Sequence, residues 1–260
     1  MISKPTVLVL GAGASHDYGF PTGRQLMLNI CRDSVQGNWL FQFLEGDMGF
    51  GGDAVDEFRQ ALELSQAPSI DRFLAHRAVF QRLGKAAIAA TLLRIESYAF
   101  RRHDPSQMKW YEFLFRVMID GGGAFEANRL SVITFNYDRS LEAFWFSALR
   151  HLNGLSEDAA IEMVEKIPVF HVHGQLERRL WRNPIESGYR YGLASELSQL
   201  APAWVKEAAD GIRVLREDEE LPNSGPVLEV LTQAQEVLFL GFGFHGENVK
   251  RLSLSEVEKR

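Results

Sequence analysis

The segment that most constrains the fold of this chain is its beginning, where an aliphatic run breaks into a glycine-rich turn. Residues 6 to 10 read Thr-Val-Leu-Val-Leu, and residues 11 to 15 read Gly-Ala-Gly-Ala-Ser. The first run is typical of a buried strand. Glycines let the backbone approach a phosphate closely, and a following helix N-terminus offers N–H groups to its charge. The segment therefore predicts a dinucleotide-binding turn, although such a turn also occurs as a simple tight link between a strand and a helix.

The same segment departs from the fingerprint of dehydrogenases that bind NAD. That fingerprint has a third glycine three residues after the second, and His16 occupies this position. It also has an acidic residue at the end of a second strand about 20 residues further on. After Arg24 the chain instead continues into Gln25 to Cys31, an apolar pattern of helical period. Hydride transfer is therefore not the expected chemistry.

Composition and charge exclude several classes of protein. The 260 residues carry a formal net charge of −6, so no basic field attracts nucleic acid or an anionic membrane. No apolar run approaches the roughly 20 residues of a membrane span, and a strand predicted so close to Met1 leaves no room for a signal peptide. The single cysteine, Cys31, excludes an internal disulfide and a four-cysteine zinc site. We expect a cytoplasmic protein.

Strand patterns alternate with helical patterns along the chain. This alternation predicts an α/β fold, a Rossmann-like parallel sheet with helices on both faces. The helical pattern dominates residues 39–119, which predicts one domain over residues 1–260 with a helical insertion. The strand candidates are residues 6–10, 130–135, 167–172 and 237–240, with a short one at 212–215.

Several segments between these elements carry turn or loop signals. Glycines interrupt residues 37–53, and the stretch from Glu45 to Asp53 predicts a mobile loop. Residues 181–195 look irregular, and residues 217–225 look like an exposed acidic turn. Ser69 predicts a helix N-cap before Ile70.

Polar or glycine residues follow each predicted strand. They are Gly11 to Ser15, then Asn136 and Asp138, then His173, and finally Gly241 to Gly243. In open parallel sheets, ligands bind at the carboxyl ends of the strands, so these residues predict one site. Asn136 and Asp138 would equally serve as caps of the helix that follows. His171 and His173 share one strand face and could begin a metal site, but the sequence offers no third ligand nearby.

Four motifs in this order resemble the sirtuin (SIR2) superfamily. They are Gly11 to Ser15 with Pro21 to Arg24, Thr134 to Asp138 (Thr-Phe-Asn-Tyr-Asp), His173-Gly174, and Gly241 to Gly243. The closer resemblance is to bacterial SIR2-like domains, many of which are NAD-consuming effectors of anti-phage defence. Sirtuins that deacylate proteins carry a four-cysteine zinc ribbon, which one cysteine cannot form. The resemblance therefore implies cleavage of NAD+ with water as the acceptor and no metal.

The resemblance also implies roles for individual residues. Asn136 would face the ribose and the attacking water, and His173 would be the base, a role that suits its ordinary pKa of about 6.5. Asp138 would bind the nicotinamide carboxamide, and the backbone N–H groups of Gly11, Ala12 and Gly13 would bind the phosphates. The remaining candidates for the nucleotide site are Ser15, Pro21, Arg24, Gly241 and Gly243.

The sequence leaves three functions open. The first is an NAD+ glycohydrolase that depletes NAD+, acting as a homo-oligomer or with a partner protein of a defence system. The second is an NAD-dependent protein deacylase or ADP-ribosyltransferase. The third is a non-catalytic sensor or scaffold that binds NAD or ADP-ribose.

Overall fold

The computed structural model describes residues 1–96, 108–120, 122–176, 200–214 and 224–252. Within them the chain forms a four-stranded, all-parallel sheet flanked by helices, so the predicted Rossmann-like α/β fold is confirmed. The strands are β1 (Thr6–Leu10), β2 (Leu130–Thr134), β3 (Val169–His171) and β4 (Glu236–Leu240).

The sheet has the order β3-β2-β1-β4, with β1 hydrogen-bonded on both sides. All five residues of β1 are buried, which accounts for its continuous aliphatic sequence. Leu10 is in register with Thr134 of β2 and with Leu240 of β4, so three strands end side by side. The strand order reverses between β1 and β4, and ligands of open α/β sheets bind at such a switch point.

α-Helices account for most of the remaining regular structure of the described residues. They are α1 (Gly23–Asp33), α2 (Trp39–Gln42), α3 (Gly52–Leu64), α4 (Ile70–His76), α5 (Gln81–Glu96), α6 (Trp110–Ile119), α7 (Ser140–Asn153), α8 (Glu157–Val164), α9 (Pro202–Gly211), α10 (Ser224–Gln233) and α11 (Gly246–Arg251). Shorter turns of 3-10 helix cover Ala12–Tyr18, Ala78–Phe80 and Phe125–Ala127, and a π-helix covers Phe43–Asp47.

The chain separates into two compact units. The sheet unit comprises Met1–Tyr18, His103–Val172 and Glu220–Arg260, and the helical unit comprises Gly19–Arg102 and His173–Glu219. The bounds of the helical unit differ from those of the predicted insertion at 39–119. Helix α1 belongs to the helical unit and α6 to the sheet unit, and the single domain stays a prediction.

Side-chain caps explain where two helices of the helical unit begin. Thr22 Oγ1 accepts a hydrogen bond from the Gln25 N–H at 3.4 Å, and the Thr22 N–H donates to Gln25 Oε1 at 2.9 Å, which is a capping box. Ser69 Oγ accepts from the Arg72 N–H at 3.3 Å. The predicted cap at Ser69 is confirmed, because α4 begins at the next residue.

Helix α5 lies in the core of the helical unit. It is rich in small residues, most of its side chains are buried, and α9 packs against it. Gly84 permits a close approach to α4, because a Cβ at this position would lie 2.4 Å from Cδ2 of Leu74. Small residues thus bring neighbouring helices close to α5.

The loop predicted from Glu45 to Asp53 is shorter than expected, because the π-helix Phe43–Asp47 extends into it and α3 already begins at Gly52. Helix α2 directly precedes the π-helix. Leu40 and Leu44 are fully buried, and Phe41 is nearly so. Burial of these side chains outweighs the local preference of the glycines for irregular backbone.

Other predicted elements differ in extent or lie outside the described residues. Strand β3 is shorter than the predicted 167–172, and the strand expected at 212–215 is a single bridge between Ile212 and Gly174. Residues 181–195 and most of the acidic turn at 217–225 are not among those described. In the described part of the chain, no helix is both long enough and apolar enough to cross a membrane.

Candidate active site at the carboxyl ends of the strands

Three predicted site residues of the sheet unit come together at the ends of β1 and β2. Ser15 Oγ donates to Asp138 Oδ2 at 3.0 Å, and Asn136 Nδ2 lies 3.4 Å from Ser15 Oγ, which accepts its hydrogen. All three side chains are buried. Because parallel strands end at the same edge of a sheet, residues more than 120 positions apart in sequence meet here.

The amide of Asn136 is held in one orientation. Its Nδ2 donates to the carbonyl of Gly11 at 3.1 Å, and its backbone N–H donates to Thr134 Oγ1 at 3.1 Å. A carbonyl oxygen only accepts hydrogen bonds, so the nitrogen of the amide must face Gly11. Oδ1 then faces the opposite side of the amide.

Oδ1 of Asn136 is a buried acceptor that no described residue satisfies. Asn136 is 8% exposed, and no donor of the described chain lies within hydrogen-bond distance of Oδ1. Leaving a buried polar atom unsatisfied costs about 1–3 kcal/mol, so such atoms are rare and often functional. The arrangement therefore offers one acceptor to an O–H or N–H group of a ligand or of water.

The carboxylate of Asp138 bonds to the first residue of a helix. Its Oδ1 accepts from the backbone N–H of Ser140 at 3.2 Å and from the Ser140 hydroxyl. Helix α7 begins at Ser140 and its N-cap residue is Arg139, so Asp138 lies one residue before the cap and bonds the first N–H of the helix. The Asn136 side chain bonds to Gly11 and Ser15 instead, so it is not the cap.

The glycines after β1 and β4 are explained by close packing of the two strand ends. A Cβ on Gly11 would lie 2.5 Å from the carbonyl oxygen of Gly241. A Cβ on Gly241, whose φ is +58°, would lie 2.0 Å from the backbone nitrogen of Ala14. Neither position accommodates a side chain without a shift of the backbone.

This packing corrects the expected role of two N–H groups. The Gly11 N–H donates to the carbonyl of Leu240 at 3.0 Å, and the Gly13 N–H donates to the carbonyl of Gly241 at 3.1 Å. Both donors are therefore engaged with the last residue of β4 and the residue after it, and they do not face a phosphate as predicted. Among the three N–H groups proposed for phosphate, Ala12 has no acceptor in the described part of the chain.

A buried aromatic network that sequence reasoning missed supports Asp138. The Tyr111 hydroxyl lies 2.6 Å from Ser140 Oγ, and the Tyr111 ring stacks on Tyr18 with 3.7 Å between the ring centroids. Burial raises the pKa of Tyr111 well above its ordinary value, so its hydroxyl stays protonated. Trp110 Nε1 donates to the carbonyl of Ala14 at 2.6 Å and ties α6 to the turn after β1. No local motif signals these contacts.

A second missed feature is a buried pair between His171 and Glu142. His171, the last residue of β3, places Nε2 2.8 Å from Glu142 Oε1 and Nδ1 2.9 Å from the carbonyl oxygen of Asn136. Its side chain is 5% exposed. Burial opposes the charged imidazole, but the charge and hydrogen bond of Glu142, with smaller contributions from Asn136 and Asp138, raise its pKa.

Phenylalanines pack at the ends of β2 and β4. The ring of Phe242 lies between Phe135, 5.1 Å away, and Phe244, 5.0 Å away, and Phe239 contacts Phe242 and Phe244. Phe244 is 60% exposed and has a φ of +48°, a conformation that bulky residues seldom adopt. Gly243 lies within this cluster, and a Cβ there would lie 3.0 Å from the His245 ring.

Three predicted site residues belong to the helical unit. Pro21 precedes the cap of α1, and Arg24 is exposed in the first turn of that helix. His173 is buried, and its carbonyl accepts from the Arg213 N–H at 2.8 Å. Gly174, with a φ of +74°, would place a Cβ 2.1 Å from the carbonyl oxygen of Gly211, which explains the glycine after His173.

A metal site would need several His, Cys, Asp or Glu side chains close together in the described part of the chain. Within it, no group of three or more His, Cys, Asp or Glu side chains could hold a metal ion. His171, one member of the histidine pair seen in the sequence, is instead bonded to Glu142 and the Asn136 carbonyl.

No family model matches the chain, and no curated protein or solved structure shows significant similarity to it.

Proposed function

We propose that the chain is an NAD+ glycohydrolase that cleaves NAD+ to nicotinamide and ADP-ribose. The observation that carries the proposal is the buried, unsatisfied Oδ1 of Asn136 at the strand ends of a Rossmann-like sheet. In the reaction, the bond between ribose C1′ and the nicotinamide nitrogen breaks, and its electron pair leaves with neutral nicotinamide. The oxygen of water bonds to C1′, and one proton of that water is released.

The chemistry of this bond explains why one fixed acceptor matters. Positive charge develops on the ribose as the nicotinamide leaves, so the barrier falls when dipoles are aligned in advance toward that charge. Oδ1 of Asn136 carries partial negative charge, and Gly11 and Thr134 fix its direction. It would accept a hydrogen bond from the attacking water or from a ribose hydroxyl and hold that group in place.

The other proposed roles are consistent with the contacts of these residues. Asp138, which the SIR2 resemblance assigns to the nicotinamide carboxamide, has its carboxylate direction fixed by Ser15 and Ser140. The N–H of Ala12 would serve a phosphate oxygen. His173 is proposed as the base, because a neutral imidazole nitrogen can take the proton from water.

The proposal is tested by incubating the purified chain with NAD+ and measuring nicotinamide and ADP-ribose by chromatography. We expect equal amounts of the two products, lost in Asn136→Ala and in His173→Ala. Activity that is unchanged in both variants would overturn the assignment of the site. A dilution series of the protein should be included, because it also reports whether activity depends on assembly.

A second candidate function is binding of NAD or ADP-ribose without cleavage. The observation that favours it is the mutual engagement of Ser15 and Asp138, which leaves Asn136 Oδ1 as the unsatisfied side-chain atom among these three residues. Binding measured by calorimetry, with NAD+ intact after prolonged incubation at every protein concentration, would support this function. Faster turnover with an acetylated peptide than with water would instead indicate a deacylase, and transfer to protein an ADP-ribosyltransferase.

The wider setting is proposed from the SIR2 resemblance. We propose a cytoplasmic effector of bacterial anti-phage defence that depletes NAD+ and acts as a homo-oligomer or with a partner protein. Because such an activity harms the cell that holds it, the active state should require assembly. Comparing specific activity across the dilution series with the mass measured by light scattering tests this proposal.

A further inference from the structure

The backbone of Asn136 is fixed by a side chain that the proposed reaction does not use. His171 ends β3, and its Nδ1 lies 2.9 Å from the Asn136 carbonyl oxygen, while its Nε2 lies 2.8 Å from Glu142 Oε1. The imidazole is therefore bonded on both nitrogens and is 5% exposed. It links Glu142 in the first turn of α7 to Asn136, the second residue after β2.

The two partners determine the protonation of the ring. A backbone carbonyl only accepts, so Nδ1 must carry a hydrogen. An ionised carboxylate also only accepts, so Nε2 must carry a hydrogen when Glu142 is charged. Only the imidazolium satisfies both bonds, and a neutral ring with its hydrogen on Nδ1 would turn a lone pair toward the carboxylate.

We propose that the imidazolium of His171, held by Glu142, positions Asn136 so that Oδ1 points to one place, a role that rests on the proposed function of Asn136. The Asn136 N–H is held by Thr134, its side-chain nitrogen by Gly11, and its carbonyl by His171. Loss of the third anchor frees the peptide plane after Asn136. His171 does not itself touch the substrate and is a positioning residue.

The charges that face His171 make this positioning dependent on pH. Glu142 faces the ring from α7, and Asp138 lies close enough on the loop before α7 to favour its positive charge. Burial opposes that charge, but the net effect is a pKa raised above the ordinary 6.5. As pH rises through the raised pKa, the ring loses one hydrogen, and the anchor weakens.

Two substitutions at His171 separate its two bonds. In His171→Asn, the side-chain amide nitrogen takes nearly the place of Nδ1 and can still donate to the Asn136 carbonyl. In His171→Gln, the longer side chain reaches toward Glu142 and leaves the carbonyl without its donor. We expect kcat to fall by about tenfold to a hundredfold in His171→Gln, partly restored in His171→Asn, with a smaller change in KM. The exposed His151→Gln on α7 is the matched control and should leave kcat unchanged.

A magnetic resonance titration tests the positioning without using the reaction. The ring nitrogens of His171 and the carbonyl carbon of Asn136 are followed against pH in the full chain, in the wild type and in Glu142→Gln. We expect both signals to share a midpoint above 6.5 in the wild type and to shift together to lower pH in Glu142→Gln.

The outcomes separate this inference from the proposed function. A His171 titration that leaves the Asn136 carbonyl signal unchanged, or equal kcat in His171→Asn and His171→Gln, would overturn the positioning role. Absence of NAD+ cleavage by the wild type would overturn the proposed function, while a shared midpoint would still establish that His171 controls the backbone of Asn136.

Discussion

Ser15 Oγ donates a 3.0 Å hydrogen bond to Asp138 Oδ2, joining the turn after β1 to the loop after β2. Both residues are buried, so water cannot replace the bond if either partner is removed. Hydrogen bonds to charged groups contribute about 1.5–3 kcal/mol. The hydrogen of the Ser15 hydroxyl is therefore used to hold Asp138 in place.

A double-mutant cycle measures this bond. We expect Ser15→Ala to lower the free energy of unfolding by about 1.5–3 kcal/mol, because the buried carboxylate loses a donor. The effects of Ser15→Ala and Asp138→Asn should not add, with a coupling of about 1 kcal/mol or more in urea denaturation. Strict additivity would show that the bond contributes nothing to folding.

Alanine substitutions of two buried asparagines of the sheet unit should differ in their effects on stability and on activity. Asn128 is satisfied on both sides, since Oδ1 accepts from Ile2 at 2.6 Å and Nδ2 donates to the carbonyls of Met118 and Phe125 at 2.9 Å. We expect Asn128→Ala to cost more stability than Asn136→Ala, by about 1–2 kcal/mol, because it orphans more partners. Nicotinamide release should be lost only in Asn136→Ala.

Thermal denaturation and activity assays on the same preparations check this pair. Loss of activity in Asn128→Ala, under conditions in which the variant is folded, would indicate that activity follows general stability and not the Asn136 acceptor.

The Glu142–His171 pair predicts a pH-dependent contribution to stability. The folded-state pKa of His171 lies above 6.5, so the folded protein binds its proton more tightly than the unfolded chain does. This contribution is fully present below pH 6.5 and is lost as pH rises through the folded-state pKa. Glu142→Gln should therefore be less stable than the wild type below pH 6.5, and the difference should narrow as pH rises through the folded-state pKa.

Urea denaturation of both proteins across this range measures the effect. A difference in unfolding free energy that stays constant with pH, or that widens at alkaline pH, would contradict a raised pKa for His171.

The close approach of β1 and β4 makes Gly241 intolerant of a side chain. A Cβ there would lie 2.0 Å from the Ala14 nitrogen, so Gly241→Ala forces the two strand ends apart. We expect a loss of about 2 kcal/mol or more in stability. Gly246→Ala is the matched control, since a Cβ at the start of α11 meets nothing within 4 Å. Equal melting temperatures for the two variants would show that the contact is easily relaxed.

The convergence of Ser15, Asn136 and Asp138 could be predicted from sequence, because it follows from two general rules. Hydrophobic period identifies the strands before these residues, and parallel strands end at one edge. The hydrogen-bond partners could not be predicted in the same way. The Gly11 and Gly13 N–H groups bond to carbonyls of Leu240 and Gly241, and only the neighbour relation of β1 and β4 brings these together.

The supporting contacts were missed for a related reason. Tyr111, Ser140 and Glu142 carry no local signal, since each lies in an ordinary amphipathic helix. Their partners are selected by how α6 and α7 pack, which depends on the whole sheet unit. Packing also outweighed the local preference of Gly46 for irregular backbone. Leu44 is completely buried in the same segment, which is helical.

The proposed reaction transfers the ADP-ribosyl group of NAD+ to water, and Asn136 Oδ1 assists this transfer. Its most direct test is the reaction in ¹⁸O-labelled water, with mass spectrometry of the ADP-ribose formed. We expect nicotinamide and ¹⁸O-labelled ADP-ribose in equal amounts from the wild type, and neither from folded Asn136→Ala. NAD+ that stays intact with the wild type at every protein concentration, or labelled product from Asn136→Ala at the wild-type rate, would contradict it.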